Sequence, residues 1–334
     1  DAVMTLISFV LPFLLLAAQE PPKEPEERVP DRWRIPFPDY AINEPGGGVD
    51  PYRQNVLKGD YPIFGQNTFL ILTGRSDTTV EARRLPTPSG TSTRHTGDAD
   101  FFGRGDQLFA DQKLAATIEV YHGETSFRPR DWEVRVTGVA DYNYVHVAEH
   151  TIVNPNVREE ETRTDHWVAL QEALVEYHLF DVSNDYDFVS IRAGIQPFLS
   201  DFRGFLYSDV NLGVRLFGTF ASNRIQWNLA VFDQLEKDTN SDLNTRRMRD
   251  QNVWIANLYV QDFLWLGYTA QLSVHFNQDD GGTEYDENGN LVRPALLGTI
   301  RPHEVNAVYY GWTGDGRIDT VNVSHAFYVA TGTD

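Results

Sequence analysis

The sequence contains no cysteine, and it is short of positive charge. The missing thiols exclude a disulfide framework, a thiolate metal site and a cysteine nucleophile. Lysine and arginine number 28 against 48 aspartates and glutamates, which gives a formal net charge of −20. Because nucleic-acid binding requires a basic surface, this balance excludes DNA and RNA as partners.

Long hydrophobic runs are equally scarce, and the one candidate lies near the start of the chain, from Leu6 to Ala18. It ends in small residues, and a segment rich in proline and charge follows it. A run of this length is typical of a secretory signal and is too short for a comfortable membrane span. The sequence therefore predicts a signal peptide at residues 1–19, with a retained anchor as the alternative.

Residues 20–66 are the part of the chain least suited to regular structure. They contain nine prolines and the run Gly46-Gly47-Gly48. Proline at this spacing sustains neither a helix nor a central strand. We expect an extended periplasmic tether that leads to the first strand.

From residue 67 onward, apolar and polar side chains alternate with a period of two, which is the pattern of β-strands with one polar and one apolar face. Such strands suit a sandwich with a dry interior or a membrane barrel with a wet one. The eleven candidate strands are 67–84, 107–122, 131–146, 166–180, 186–198, 210–221, 224–234, 251–262, 267–277, 303–312 and 317–329.

The connections between these segments favour the barrel, because long and short ones alternate. The long ones are 85–106, 147–165, 199–209, 235–250 and 278–302. The short ones are 123–130, 181–185, 222–223, 263–266 and 313–316, the last containing the turn signal Gly314-Asp315-Gly316. Long loops at one end and tight turns at the other are typical of an up-and-down outer-membrane barrel. Residues 67–334 are thus predicted to form an all-β, transmembrane, antiparallel β-barrel.

The number of candidate strands is odd, whereas bacterial single-chain barrels close with an even number. The last candidate strand also heads toward the end that carries the long loops. We therefore expect the barrel to be incomplete, and the encoding frame to continue past Asp334 with at least one more amphipathic strand.

The polar faces supply candidate pore-lining residues. Counting across the connections places Glu176 opposite Arg192, and Arg192 near Arg215. Such a strip could order solutes in a pore, or it could be an ion-pair network that stiffens the wall. The complete predicted pore lining is Glu172, Glu176, Arg192, Gln196, Arg215, Gln226, Asn228, Gln271 and His275.

The opposite faces are predicted to contact lipid. They carry apolar residues such as Ile191, Leu216, Trp227, Leu229 and Leu272. Tryptophans near strand ends, Trp167 among them, match the aromatic girdles expected at both membrane surfaces.

No arrangement in the sequence indicates catalysis or metal binding, and we expect no enzyme activity, metal or cofactor. His303-Glu304 lacks the spacing of a zinc-binding histidine pair. Ser324 and His325 are adjacent on a predicted strand, so their side chains point to opposite faces. The segment from Asp286 to Asn290 is better explained by an Asn-Gly turn than by a calcium loop.

Three motifs on successive strands resemble the alginate-export-like outer-membrane porins. They are Gln171-Glu172-Ala173 with Val175-Glu176-Tyr177, then Arg192-Ala193-Gly194-Ile195-Gln196, then Asn211-Leu212-Gly213-Val214-Arg215-Leu216. The resemblance covers about residues 166–235. It implies a complete barrel of about 16 to 18 strands, a size associated with an aqueous channel, and a family role in exporting anionic polysaccharide.

These observations predict a bacterial outer-membrane porin in contact with lipid and lipopolysaccharide. Small or anionic hydrophilic solutes, saccharides among them, would pass through its polar lumen. The alternative is a barrel without transport that has an adhesive or structural role through its acidic loops, and an outer-membrane hydrolase ranks third. The sequence leaves the oligomeric state open.

Overall fold

The computed structural model describes residues 50, 52, 54–87, 104–123, 128–156, 158, 161–294 and 300–333. The predicted signal peptide and the predicted tether up to residue 49 lie outside the described residues. Within the described ranges, no helix is long and apolar enough to cross a membrane.

All regular structure in these ranges is β-strand, and each candidate segment of the sequence corresponds to one long strand. The long strands are β1 (Thr68–Arg84), β2 (Asp106–His122), β3 (Trp132–Val147), β4 (Thr162–Asp181), β5 (Phe188–Leu199), β6 (Ser208–Phe220), β7 (Ile225–Lys237), β8 (Asn244–Val260), β9 (Tyr268–Asp279), β12 (Val305–Ile318) and β13 (Val321–Thr333). Two short strands, β10 (Glu284–Tyr285) and β11 (Leu291–Arg293), form a small hairpin in the connection between β9 and β12.

The long strands form one antiparallel sheet of eleven strands in the order of the chain, with β12 pairing directly with β9. This confirms the all-β class and the antiparallel meander. The sheet is not closed, because β1 and β13 are its two edges. Part of the β1 edge is covered by the end of the predicted tether, which folds back so that the Leu72 amide donates to the Leu57 carbonyl at 2.8 Å.

The two faces of the sheet differ in an unusual way. On β9, Leu272 is 59% exposed, whereas the adjacent Gln271 is 1% exposed. The same contrast recurs on the strands between the two edges, where the exposed face is mostly apolar and polar side chains are common among the buried residues. The buried face also carries one apolar cluster, formed by Phe198, Tyr207, Ala230, Phe232, Val253 and Ile255. We call the buried polar face the inner face and the other the outer face. Water-soluble proteins show the opposite distribution.

The expected long loop at 235–250 is wrong. Strands β7 and β8 continue into this region, with Leu235 opposite Met248 and Lys237 opposite Asn244. Only residues 238–243 connect the two strands, fewer than the residues 261–267 that connect β8 to β9 at the other end. The strict alternation of long and short connections therefore fails here. Both strands extend into a segment with polar residues on both faces, so the period-two pattern did not indicate the extension.

The expected turn at Gly314-Asp315-Gly316 is also wrong, because β12 runs through it and turns at Asp319 and Thr320. Gly314 lies opposite His325. A Cβ atom on Gly314 would overlap the Tyr268 hydroxyl oxygen and lie 2.5 Å from His325 Nε2. This glycine is needed because side chains of both neighbouring strands lie against its backbone, not because the chain reverses there.

A bulge in β4 overturns the expected position of Trp167. Thr137 pairs with Glu172 and Gly138 with Leu170, so Gln171 is an extra residue. An extra residue exchanges the two faces beyond it. Trp167 therefore packs on the inner face with Val139, Ala169 and Leu243, and not in an outer girdle.

The packing around Gly314 gives a test of the fold. We expect Gly314→Ala to destabilise the protein by about 1–3 kcal/mol, because the methyl group would force Tyr268 and His325 apart. The free energy of unfolding, measured by chemical denaturation, checks this.

Gly74→Ala is the matched control, since no atom lies within 4 Å of a Cβ built at Gly74 on β1. Equal free energies of unfolding for the two variants would contradict the close packing at Gly314.

Candidate functional site

The strand register brings three of the four predicted charged residues into one row. Glu176 pairs with Arg192, and Arg192 pairs with Arg215, across β4, β5 and β6. This confirms the row predicted from the sequence. All three side chains belong to the inner face, because their residues are in register.

Arg192 and Glu176 form a shielded ion pair. Arg192 Nε donates to Glu176 Oε2 at 2.7 Å, and Nη2 donates to the same oxygen. The side chains are 18% and 9% exposed. This geometry favours a structural ion pair within the wall over a solute-binding role, because the charge of each side chain is already compensated by the other.

Arg215 has a different environment. Its Nε donates to Asn228 Oδ1 at 2.7 Å, and its guanidinium lies 4.3 Å from the ring centre of Phe217 and 5.1 Å from that of Phe198. Among the described residues, no carboxylate lies within 4.0 Å of it, the distance of an ion pair. The charge of Arg215 is therefore stabilised by an amide and two aromatic faces, and it can still attract an anion.

A second group of charges lies on the inner face of β2, β3 and β4. Arg130 donates to Glu119 at 2.5 Å and to Glu133 at 2.7 Å. Arg135 bridges the same two carboxylates and lies 3.8 Å from Glu172. Glu172, a predicted pore-lining residue, is thus at the margin of an ion-pair network.

The connection between β5 and β6, residues 200–207, lies against the inner face; we call it the 200–207 loop. The Ser200 carbonyl accepts hydrogen bonds from Asn257 Nδ2 at 2.8 Å, Gln271 Nε2 at 2.6 Å and Tyr259 Oη at 3.1 Å. Asn257 in turn accepts from Asn228 Nδ2 at 2.7 Å. The predicted residues Asn228 and Gln271 are therefore linked beneath this loop through Asn257 and the Ser200 carbonyl.

The far side of the 200–207 loop reaches β13. Phe205 stacks on Tyr328 with ring centres 5.1 Å apart, and Arg203 Nη2 donates to Ser324 Oγ at 2.8 Å. Tyr328 Oη donates to Asp201 Oδ2 at 3.1 Å. From the sequence, residues 199–209 were expected to form an ordinary long polar loop. Its three aromatic residues, Phe202, Phe205 and Tyr207, were the signal that it packs against something.

The extended hairpin of β7 and β8 also packs on the inner face. Trp167 Nε1 donates to the Asn244 carbonyl at 3.2 Å, and the Asn244 amide donates to Gln171 Oε1 at 3.1 Å. At its tip, Asn240 accepts from Arg163 Nη2 at 2.5 Å. The hairpin therefore covers part of β3 and β4, a contact that the alternation of polar and apolar residues does not predict.

The small β10–β11 hairpin adds to the cover at this end. Asn288 Nδ2 lies 3.5 Å from Asp165 Oδ2 on β4, and Arg293 donates to Glu236 at 2.5 Å. Burial, with the nearby carboxylate of Asp165, raises the pKa of Glu287 in the turn of this hairpin. Within the described part of the chain, no group of three or more histidine or acidic residues could hold a metal ion.

The remaining predicted residues share the inner face but differ in their contacts. Gln196 is fully buried and donates to the Gly213 carbonyl at 3.0 Å. His275 is 2% exposed, and neither ring nitrogen has a hydrogen-bond partner. Gln226 lies at the end of β7, where it donates to Asn223 Oδ1 at 3.2 Å. The nine predicted pore-lining residues thus lie on five strands, β4, β5, β6, β7 and β9, and they are not equally accessible.

On the outer face, the expected lipid-facing position of Trp227 needs correction. Trp227 lies on the predicted outer face but is only 6% exposed. Phe220 stacks on it with ring centres 5.9 Å apart, and Gly218 leaves room for its ring. Ile191, Leu216 and Leu229 are partly exposed, and Leu272 is well exposed.

A comparison of the chain with models of known protein families gives no match. A comparison with curated proteins likewise gives no match.

The shielded pair of Arg192 and Glu176 gives a test of the site. We expect Arg192→Met to destabilise the protein by about 3–5 kcal/mol, because Glu176 would remain buried without compensation. The double variant Arg192→Met/Glu176→Gln should recover most of this loss, as measured by the free energy of unfolding.

Arg75→Met is the matched control. The ion pair of Arg75 with Asp77 has side chains 71% and 46% exposed, so its loss should cost at most about 1 kcal/mol. A double variant no more stable than Arg192→Met would show that the two charges do not depend on each other.

Proposed function

We propose that the chain forms an outer-membrane β-barrel channel that passes small hydrophilic solutes along its inner face. The observation that supports this most is the distribution of polarity, with an apolar exposed face and a polar buried face. Membrane barrels that enclose water need this distribution, since lipid surrounds one face and water fills the other. The antiparallel meander is the topology of such barrels.

The proposed surroundings are the lipid and lipopolysaccharide of a bacterial outer membrane. Exposed side chains on the outer face, such as Leu272, Trp312, Phe327 and Val329, are then solvated by hydrocarbon. A spanning sheet also needs partners for the free edges of β1 and β13, because unpaired backbone groups are costly in lipid.

Arg215 supports a preference for anionic solutes, including saccharides that carry carboxylates. Its charge lacks a carboxylate partner among the described residues, and the amides of Asn228, Asn257 and Gln271 lie beyond it on the inner face. Amides and aromatic rings beside a cation provide the hydrogen-bonding and stacking groups that bind a hydrophilic anion.

One observation favours the alternative of a structural or adhesive barrel without transport. The 200–207 loop and the β7–β8 hairpin both pack on the inner face, and they cover part of any path along it. Single-channel conductance of the protein in a planar bilayer separates the two functions, because only a channel conducts.

The sidedness of the sheet can be tested by thiol labelling, since the chain has no cysteine of its own. In membranes, Leu272→Cys should resist a charged, membrane-impermeant thiol reagent and become reactive only after the protein is unfolded in denaturant, because a thiol in hydrocarbon does not ionise. Gln226→Cys, on the inner face, should react with the same reagent in intact membranes. Equal labelling of both positions by the charged reagent would refute the proposed membrane orientation.

The charge of Arg215 should influence ion selectivity. At a distance of about 8 Å in water, one unit charge changes the energy of a passing ion by about 0.5 kcal/mol. Because anions and cations respond with opposite sign, Arg215→Gln should lower the anion-to-cation permeability ratio roughly fivefold in dilute salt, where screening is weak. The reversal potential in a salt gradient measures this ratio.

The matched control is the double variant Glu176→Gln/Arg192→Gln, which removes one negative and one positive charge from the same row. Its reversal potential should equal that of the unmodified protein. An unchanged reversal potential for Arg215→Gln in a conducting channel would show that Arg215 does not face the ion path.

A further inference from the structure

The Ser200 carbonyl oxygen accepts more hydrogen bonds than a carbonyl oxygen usually does. Gln271 Nε2, Asn257 Nδ2 and Tyr259 Oη lie at 2.6, 2.8 and 3.1 Å from its oxygen. A carbonyl oxygen has two lone pairs, so three donors exceed its usual capacity. All three donors belong to the paired strands β8 and β9, which fix their positions without help from the loop.

The hydrogen bonds that lead to this carbonyl also favour a negatively charged acceptor in its place. Arg215 donates to Asn228, Asn228 donates to Asn257, and Asn257 donates to the Ser200 carbonyl. A chain of hydrogen bonds that run in one direction strengthens its last member. Because this chain begins at a cation, its end binds an anionic oxygen better than a neutral one.

We propose that Asn257, Tyr259 and Gln271 form a carboxylate-binding site that the Ser200 carbonyl occupies as an internal competitor. A hydrophilic solute with a carboxylate takes the place of this carbonyl and displaces the 200–207 loop from the inner face. This inference rests on the proposed channel function, since the solute must reach the inner face to compete.

The 200–207 loop has hydrogen bonds of its own, and Tyr207 anchors its base by stacking on Phe232 with ring centres 5.1 Å apart. The Ser200 amide donates to the Tyr207 carbonyl at 3.0 Å and closes the base of the loop. Asp201, 1% exposed, accepts from the amides of Arg203 at 2.8 Å and Phe205 at 3.3 Å, which belong to the same loop. These bonds stay with the loop when it moves, so the Asp201 carboxylate keeps donors. Displacement must break the bond from Tyr328 to Asp201, the bond from Arg203 to Ser324 and the stacking of Phe205 on Tyr328.

Ser200→Cys in the full chain tests the displacement. Ser200 is fully buried and its Oγ has no hydrogen-bond partner, so cysteine fits the position and becomes the only thiol. A polar thiol reagent can reach it only when the loop leaves. Gluconate at about ten times its dissociation constant for the open form should accelerate the reaction about tenfold, because binding multiplies a small open fraction in that proportion.

Two solutes serve as controls. Sorbitol has the hydroxyl groups of gluconate without the carboxylate, and sodium chloride matches its ionic strength. Neither should accelerate the reaction. An unchanged rate with gluconate, or equal acceleration by sorbitol, would overturn the proposal.

Two further variants, each combined with Ser200→Cys, locate the site. Gln271→Glu replaces a hydrogen-bond donor by a carboxylate that repels gluconate. The Thr313 hydroxyl donates to the Gln271 side-chain oxygen at 2.5 Å, and the glutamate still provides an oxygen for this bond. The acceleration should disappear in this variant and persist in Gln226→Glu, whose side chain bonds in the adjoining turn. Acceleration that survives Gln271→Glu would also overturn the proposal.

Conductance measured on the same samples separates this inference from the channel itself. Gluconate-dependent reactivity in a protein that does not conduct would support the carboxylate site and refute the channel. Conductance with a gluconate-independent reaction rate would support the channel and refute the site.

Discussion

The burial of the polar face is the constraint on which the rest of the structure depends. A buried polar group without a hydrogen-bond partner costs about 1–3 kcal/mol, so a sheet that turns such a face inward must supply partners for it. Neighbouring strands supply some, as between Arg192 and Glu176. The 200–207 loop and the β7–β8 hairpin supply others, because each brings backbone carbonyls to side-chain donors.

The charges on this face fall into two groups with different consequences. Arg130, Arg135 and Arg192 each contact carboxylates, and these contacts stiffen the wall without creating a strong local field. Arg215 is held by an amide and aromatic rings instead. Of the two alternatives for the charged strip, a structural network accounts for Arg192, whereas Arg215 is the residue on which the proposed solute-binding surface depends.

Much of the fold could be predicted because strand faces and strand order are local properties. The alternation of residues on β5 and β6 was enough to place Arg192 beside Arg215, and it placed all eleven long strands in order. The path of the 200–207 loop could not be predicted in this way. The bond from Gln271 to Ser200 joins residues 71 positions apart, and no periodicity in the sequence encodes such a contact. The turn expected at Gly314 was wrong for a related reason. A glycine that makes room for two distant side chains cannot be distinguished from a turn glycine by its neighbours in the sequence.

The bulge at Gln171 lets β4 carry one residue more than its partner without turning Trp167 away from the inner face. The extra residue leaves the ladder, and its carbonyl accepts from Asn244 Nδ2 at 3.4 Å on the inward hairpin. Deletion of Gln171 would leave a regular ladder in the same register, because Thr137 would still pair with Glu172 and Gly138 with Leu170. A further residue that entered the ladder, by contrast, would exchange the two faces beyond it and turn Trp167 away from the hairpin. Natural variation in this segment should therefore include loss of the bulged residue more often than insertion of a residue into the ladder.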